Sequence, residues 1–111
     1  IIDDICDTAG TLIKAADLLI EKGAVEVHAY ISHGVLSGEA VEKIEASKNK
    51  NLVVTDSIEA TPMLKQCSKI RLVATAPMLA QAMLNIAQGS SVSSLFNDDT
   101  LGPIYEPFNP E

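Results

Sequence analysis

The sequence predicts an α/β fold with a mainly parallel sheet and helices on both faces. Three observations lead to this prediction. Strand-like and helix-like segments alternate along the chain. Apolar residues make up 47% of the 111 residues while aromatic residues make up only 4%, which indicates one aliphatic core. Small and hydroxyl residues follow the first strand-like segment, at the position where open α/β sheets bind ligands.

The first half of the chain has clear periodicity. Residues 1–2 are predicted to be the end of a strand. Residues 11–22 are predicted to be a helix because apolar side chains recur every three or four positions, and Gly23 supplies its end. Residues 25–31 alternate apolar with more polar side chains, which is typical of a strand. Residues 32–38 contain two Gly and two Ser and are predicted to be a loop.

The second half continues the alternation. Its predicted elements are a helix over 39–47, a strand over 52–55, a loop over 56–68 with one helical turn after Pro62, a strand over 70–74 and a helix from Pro77 to Gly89. Met78 and Met83 are predicted to fill gaps in the core. Residues 97–111 hold three of the five prolines and four acidic residues, so they are predicted to form an acidic tail, ordered only if it docks.

Charge and cysteine content exclude several classes of protein. Eight basic and 15 acidic residues give a net charge of −7, which disfavours binding to nucleic acid. Apolar runs are too short to span a membrane. Cys6 and Cys67 match no metal or redox spacing, so we expect reduced thiols in a cytoplasmic protein. The chain has no initiator Met and only two apolar residues before its first acids, so we expect it to begin inside a larger protein.

The stretch before the first helix carries the predicted chemistry. Five residues enter the helix with small or hydroxyl side chains and free backbone N–H groups, which suits a phosphate monoester: Asp7, Thr8, Ala9, Gly10 and Thr11. Just before them, Asp3 and Asp4 offer carboxylates that only accept hydrogen bonds. Carboxylates repel phosphate but suit a vicinal diol or Mg²⁺. Together the two parts predict a binding site for ribose 5-phosphate.

Several motifs carry a resemblance to a known family. The stretch Asp-Asp-Ile-Cys-Asp-Thr-Ala-Gly-Thr at 3–11 resembles the ribose-phosphate loop of the type I phosphoribosyl family, and of the ribose-phosphate diphosphokinases (PRPP synthetases) in particular. The likeness continues in Ser-His-Gly-Val-Leu-Ser-Gly at 32–38, in Val-Val-Thr-Asp-Ser-Ile at 53–58 and in Ser-Val-Ser-Ser-Leu-Phe at 91–96. It covers residues 1–96, and the last motif distinguishes the synthetases from ordinary phosphoribosyltransferases.

The resemblance implies a fold like that of type I phosphoribosyltransferases and a specific reaction. Residues 1–96 would be the ribose-phosphate-binding carboxy-terminal half of a two-domain enzyme. That enzyme uses Mg²⁺ to transfer the diphosphoryl group of ATP to O1 of ribose 5-phosphate, giving PRPP and AMP. ATP would bind mainly to the amino-terminal half, and the enzyme would be a homo-oligomer, a hexamer by resemblance. This chain alone would be inactive.

The resemblance also implies roles for individual residues. The five residues from Asp7 to Thr11 would hold the 5-phosphate, while Asp3 and Asp4 would face the ribose hydroxyls or the metal. Ser91 and Ser93 would contact an allosteric anion. Two alternatives stay open: a phosphoribosyltransferase that consumes PRPP, and a non-catalytic regulatory paralogue of the synthetase.

Two further side chains have plainer interpretations. His33 lies in a Gly-flanked loop at a strand end, and we predict that it makes a structural hydrogen bond. Cys6 is predicted to be a small apolar core residue whose pKa the neighbouring aspartates raise.

Overall fold

The computed structural model describes residues 1–105 and divides the chain into two compact units. Unit 1 is Ile1–Val73, and unit 2 begins at Ala74. Unit 1 contains four strands and three helices in strict alternation: β1 (Ile2–Cys6), α1 (Gly10–Glu21), β2 (His28–Gly34), α2 (Ala40–Ala46), β3 (Asn51–Thr55), α3 (Pro62–Gln66) and β4 (Ile70–Val73).

The four strands form one parallel sheet in the order β1-β2-β3-β4. This arrangement confirms the predicted α/β class and parallel sheet. Each crossover moves one strand further in the same direction, and right-handed crossovers of that kind place their helices on the same face of the sheet. The core agrees with this geometry, because buried residues of all three helices share one cluster with buried strand residues: Leu12, Ala40, Val41, Ile44, Leu64, Ala29, Ile31, Leu52, Val54 and Ile70.

The opposite face of the sheet is not covered within unit 1. Ile2 and Tyr30 are register partners on that face, and they are 87% and 53% exposed. Tyr30 lies between the buried residues Ala29 and Ile31, as the two-residue period of a strand requires. Helices were predicted on both faces of the sheet. The helices of unit 1 cover one face and leave the other face uncovered within this unit. The reason is that the strand order never reverses direction.

Two strands differ from the predicted boundaries by three residues or more, and the other two by one residue each. β1 continues through the acid pair to Cys6, where a loop was predicted, because its backbone pairs with β2 from Ile2 to Cys6. β2 begins three residues later than predicted and ends three residues later, at Gly34. Val25 lies outside the strand and is exposed, since neither neighbouring strand reaches its level. Pairing with neighbours, which periodicity does not encode, sets both boundaries.

The predicted helical turn after Pro62 is confirmed as α3. The side-chain oxygen of Thr61 accepts a hydrogen bond from Leu64 N at 3.2 Å, and Pro62 occupies the first helical position. Thr61 therefore caps this helix, and proline at the first position leaves no N–H there to satisfy. The element order therefore contains a helix between β3 and β4, which makes this crossover equivalent to the other two.

Unit 2 contains α4 (Ala76–Ala87), a 3₁₀ helix (Ser93–Phe96) and α5 (Asp98–Tyr105). α4 confirms the predicted helix, but Met83 is 67% exposed, so the prediction that it fills a core gap is wrong. The buried side chain of this helix is polar: Asn85 Nδ2 donates to Ser91 O at 2.8 Å. Residues 98–105 form α5 where an acidic tail was predicted, and α5 packs against α4 and the 3₁₀ helix. The rest of that segment lies outside the described residues.

No helix within residues 1–105 is both long enough and apolar enough to cross a membrane.

Candidate functional site

A cavity of about 210 Å³ lies beside β1 and the start of α1. Six of the residues predicted to bind a sugar phosphate line it: Asp3, Asp7, Thr8, Ala9, Gly10 and Thr11. Apolar side chains from Leu12 and Ile31 contribute to its wall. The fold thus brings the predicted phosphate loop and one of the two predicted diol-binding acids to a single concavity. Asp4, Ser91 and Ser93 are not among its lining residues.

The loop enters α1 through a left-handed residue. Ala9 has φ 64° and precedes the first helical residue, Gly10. No side chain caps α1, and its first turn contains no acidic residue. The amino-terminal N–H groups of a helix have no intrahelical acceptor, so this end presents hydrogen-bond donors and the positive end of the helix dipole. An anion is the chemical complement of that arrangement.

Gly10 is not demanded by the fold. Its φ is not positive, and a Cβ built there would meet only Thr8 Oγ1, at 4.0 Å. The left-handed turn that a glycine would ease falls instead on Ala9. The space beside Gly10 is open to solvent, so the absence of a side chain leaves room for the approach of a ligand to the backbone.

The acid pair divides between the two sides of β1. Successive side chains of a strand point to opposite faces, so Asp3 and Asp4 do not converge. Asp3 lines the cavity, and its Oδ1 accepts a hydrogen bond from Asp4 N at 2.9 Å. Both residues are exposed. Both carboxylates were predicted to lie in one loop. They lie instead in β1, which directs their side chains to opposite faces of the sheet.

The described residues build no metal site by themselves. Within residues 1–105, no three His, Cys, Asp or Glu side chains are grouped closely enough to hold an ion. Mg²⁺ in nucleotide-using enzymes is commonly bound by one or two carboxylates together with substrate phosphates and water. Asp3 fits that smaller contribution, because its carboxylate is exposed at the cavity.

The loop between β2 and α2 contacts residues 7–11, the predicted phosphate loop, directly. Leu36 N donates to Cys6 O at 3.1 Å and Ser37 N donates to Asp7 O at 3.2 Å. Ser37 Oγ donates to Asp7 Oδ1 as well. Sequence reasoning assigned no role to Ser37. The available signal was topological, because the carboxyl ends of adjacent parallel strands lie at the same edge of a sheet.

His33 lies near the end of β2 and makes the kind of contact that was predicted for it. Its Nδ1 is 2.8 Å from Ser57 Oγ, which ties the end of β2 to the segment after β3. Thr55 Oγ1 donates to Ser32 O at 2.5 Å in the same region. These bonds connect strand ends to one another, and none of them includes a residue of the phosphate loop.

Cys6 agrees with its prediction as a core residue. It is buried, and burial raises the pKa of its thiol, with the charges of Asp7 and Asp3 acting in the same direction. Both cysteines are free thiols. Burial, which the sequence did not identify as a cause, is the larger contribution to the raised pKa.

Ser91 and Ser93 lie in unit 2. Their hydroxyl oxygens are 3.0 Å apart, and Ser91 Oγ also accepts a hydrogen bond from Ser94 N at 3.3 Å. Both side chains are exposed. The two hydroxyls therefore form a local polar turn at the start of the 3₁₀ helix.

Comparison with known proteins points in one direction. The chain is similar to the ribose-phosphate pyrophosphokinase of Cereibacter sphaeroides strain KD131, with 66% identity over 106 residues, covering 96% of this chain and 32% of that protein. It is 48% identical over 95 residues to the enzyme of the same name from Maricaulis maris, covering 86% and 31%. A crystal structure of phosphoribosylpyrophosphate synthetase from Mycobacterium smegmatis superposes with a TM-score of 0.74 at 30% identity, over 80% of this chain and 30% of that one.

The chain therefore spans about a third of the length of the curated relatives it matches. Residues 1–97 match the family described as the phosphoribosyl synthetase-associated domain. That match covers unit 1 and continues through the 3₁₀ helix of unit 2. With most of its length matched and a relative at 66% identity, this chain belongs to the phosphoribosyl synthetase-associated domain family.

Proposed function

We propose that this chain is the ribose-phosphate-binding part of a transferase that makes PRPP. In the proposed reaction, the O1 oxygen of ribose 5-phosphate attacks the β-phosphorus of ATP and its proton is released to solvent. The bond from that phosphorus to the α–β bridging oxygen breaks, and AMP leaves. The observation that supports this proposal best is the start of α1, which no side chain caps and whose residues Gly10 and Thr11 line a cavity of about 210 Å³. Similarity to two proteins named ribose-phosphate pyrophosphokinase supports the reaction.

The 5-phosphate is proposed to bind to the loop formed by Asp7, Thr8, Ala9, Gly10 and Thr11. Hydrogen bonds to a charged group contribute about 1.5–3 kcal/mol each, which exceeds the ~0.3–1 kcal/mol of the helix dipole. Directed N–H and hydroxyl donors therefore supply most of the affinity. Asp7 takes part through its backbone, because its carboxylate would repel the phosphate.

The ribose hydroxyls are proposed to be read by the acid pair. Asp3 offers acceptors inside the cavity, and Asp4 offers them from the other side of the strand end. Mg²⁺ would supply charge neutralisation of the transferring phosphates when bound. Asp3, which lines the cavity, would contribute carboxylate oxygens toward it, with the remaining ligands coming from substrate and water.

Other parts of the proposal concern the whole enzyme. ATP would bind mainly outside residues 1–96, in an amino-terminal half. The enzyme would be a cytoplasmic homo-oligomer, a hexamer by family resemblance. Ser91 and Ser93 would contact an allosteric anion. The share of each relative that this chain matches, about a third, is consistent with a substrate-binding part of a longer enzyme.

The proposal is tested in a chimera. This chain replaces the matching segment of the Cereibacter sphaeroides enzyme, and PRPP formation is followed together with calorimetric binding of ribose 5-phosphate without ATP. We expect activity in the chimera and at least tenfold weaker sugar-phosphate binding in Thr8→Ala, since one donor to a charged group is lost. A folded chimera that binds no ribose 5-phosphate would overturn the proposal. A chimera that consumes PRPP instead would favour a phosphoribosyltransferase.

The acid pair gives a second prediction. Asp3→Asn should weaken binding of ribose 5-phosphate more than that of 2-deoxyribose 5-phosphate, because the deoxy sugar lacks one hydroxyl donor. Asp4→Asn should show the same preference with a smaller effect, since its side chain does not line the cavity. Calorimetry with both sugars measures the ratio. Equal losses for the two sugars would contradict diol recognition and point to metal binding or to a purely structural role.

A further inference from the structure

The sequence motif Ser-Gly after β2 has no role in the proposed chemistry, yet the structure places its serine against the phosphate loop. Ser37 contacts Asp7 twice, through N–H···O between backbones at 3.2 Å and through a hydroxyl-to-carboxylate hydrogen bond. Leu36 N adds a third bond, to Cys6 O. The β2–α2 loop is therefore hydrogen-bonded to Cys6 and to Asp7, the first residue of the phosphate loop.

The hydroxyl of Ser37 is not used for a helix cap. α2 begins at Ala40, its capping residue is Glu39, and no side chain caps it. A serine just before a helix ordinarily bonds to N–H groups of the first turn. Here the hydroxyl crosses to another loop and ends on Asp7 Oδ1. This is the contact expected of a residue that positions a neighbour.

The contacting loops share an unusual backbone feature. Ala9 and Leu36 are the non-glycine residues of positive φ within the described chain, at 64° and 49°. A left-handed conformation costs an ordinary residue about 1–2 kcal/mol, so surrounding contacts must hold it. Leu36 is anchored by burial in the core and by its bond to Cys6. Ala9 is buried in the same core cluster, so packing holds both left-handed residues, and backbone hydrogen bonds join the two loops that carry them.

Asp7 needs such a restraint because its charge opposes the ligand. A carboxylate about 4 Å from a phosphate charge is repelled by about 1 kcal/mol in water and about 4 kcal/mol near a protein surface. Asp7 is exposed and lines the cavity. A hydrogen bond from Ser37 fixes the carboxylate toward the β2–α2 loop, so it does not swing into the space of the anion.

Resting on the proposed function, we propose that Ser37 is a positioning residue for the sugar-phosphate site. Its hydroxyl holds the Asp7 carboxylate away from the bound phosphate and keeps the loop in its binding conformation. The residue touches no reacting atom. It acts through Asp7, so its effect should appear in the affinity for the phosphorylated sugar and should depend on the Asp7 side chain.

The experiment uses the chimera with the Cereibacter sphaeroides enzyme and ribose 5-phosphate as the probe. In Ser37→Ala we expect about tenfold weaker binding, a raised KM for ribose 5-phosphate and an unchanged KM for ATP, because the released Asp7 carboxylate repels the phosphate. Ser37→Thr, which keeps the hydroxyl, should restore binding. Ser57→Ala is the matched control. It removes another exposed serine hydroxyl near the strand ends, one that contacts His33 and Ser32 and no residue of the phosphate loop.

A double-mutant comparison tests whether the effect passes through Asp7. In an Asp7→Ala background, Ser37→Ala should cause no further loss of affinity. Equal binding by Ser37→Ala and the parent chimera would overturn the positioning role while leaving the proposed function intact. A parent chimera that binds no ribose 5-phosphate would overturn the proposed function itself. If Ser37→Ala weakens binding of ribose 5-phosphate equally with and without the Asp7 side chain, the proposal that Ser37 acts through Asp7 is wrong.

Discussion

The amino-terminal ends of α1 and α3 follow strands of the same sheet but are finished differently. At α3, Thr61 accepts a hydrogen bond from Leu64 N and Pro62 removes one N–H group. At α1, Ala9 has no side-chain oxygen, and no cap is made. The sequence closes one helix end with its own atoms and leaves the other available. An uncapped helix end costs stability, and its place beside a cavity is consistent with the anion site proposed above.

The largest expected effect comes from filling the open end. Gly10→Val should abolish measurable binding of ribose 5-phosphate in the chimera, because its side chain occupies the space where the ligand approaches the backbone. The fold should tolerate the change, since a Cβ there meets only Thr8 Oγ1 at 4.0 Å. Calorimetry and thermal unfolding separate the two outcomes. Normal binding by a folded Gly10→Val protein would end the assignment of the phosphate loop.

The next effect concerns the support of the open end. Leu36→Gly should lower the free energy of unfolding by about 2 kcal/mol, because losing a buried leucine costs more than relief of its left-handed backbone returns. Ala9→Gly should instead leave stability within about 1 kcal/mol, since strain relief and the backbone entropy of glycine nearly cancel. Denaturant unfolding of both variants provides the measurement. Equal destabilisation by the two variants would contradict the larger packing contribution assigned to Leu36.

The smallest effect tests the closed end. Thr61→Ala should lower the free energy of unfolding by about 1 kcal/mol through loss of the cap of α3, with unchanged affinity for ribose 5-phosphate. Thr8→Ala is its counterpart at the open end, with the opposite profile of weakened binding and little change in stability. Chemical denaturation measures the stability of both variants, and calorimetry measures their affinity for ribose 5-phosphate. A loss of ligand affinity in Thr61→Ala would remove the distinction between the two helix ends.

Many local features of the fold were predictable from local pattern. The small residues before α1, the glycine stop at Gly23 and the proline start of α3 each depend on a few neighbouring residues and on backbone preferences. The raised pKa of the Cys6 thiol was predicted from nearby aspartates, although burial is its main cause. The family assignment agreed with the motifs on which the resemblance was based.

Other features required the partners that folding brings together. Asp3 and Asp4 lie in a strand because β2 pairs with that stretch of backbone, and strand geometry then sends their side chains to opposite faces. Met83 fitted an apolar stripe on α4, yet it is exposed. The apolar periodicity predicted the helix correctly, but it did not predict which residues would pack against that face of the helix.

The sequence by itself determined the alternation of strands and helices, the aliphatic core and the residue types before α1, because these depend on residue type and spacing along the chain. Only the tertiary structure decided that the helices of unit 1 share one face and that Ser37 holds Asp7. Strand order and contact between loops join residues 30 positions apart. Their free energy comes from pairing and packing between remote segments, which no local pattern contains.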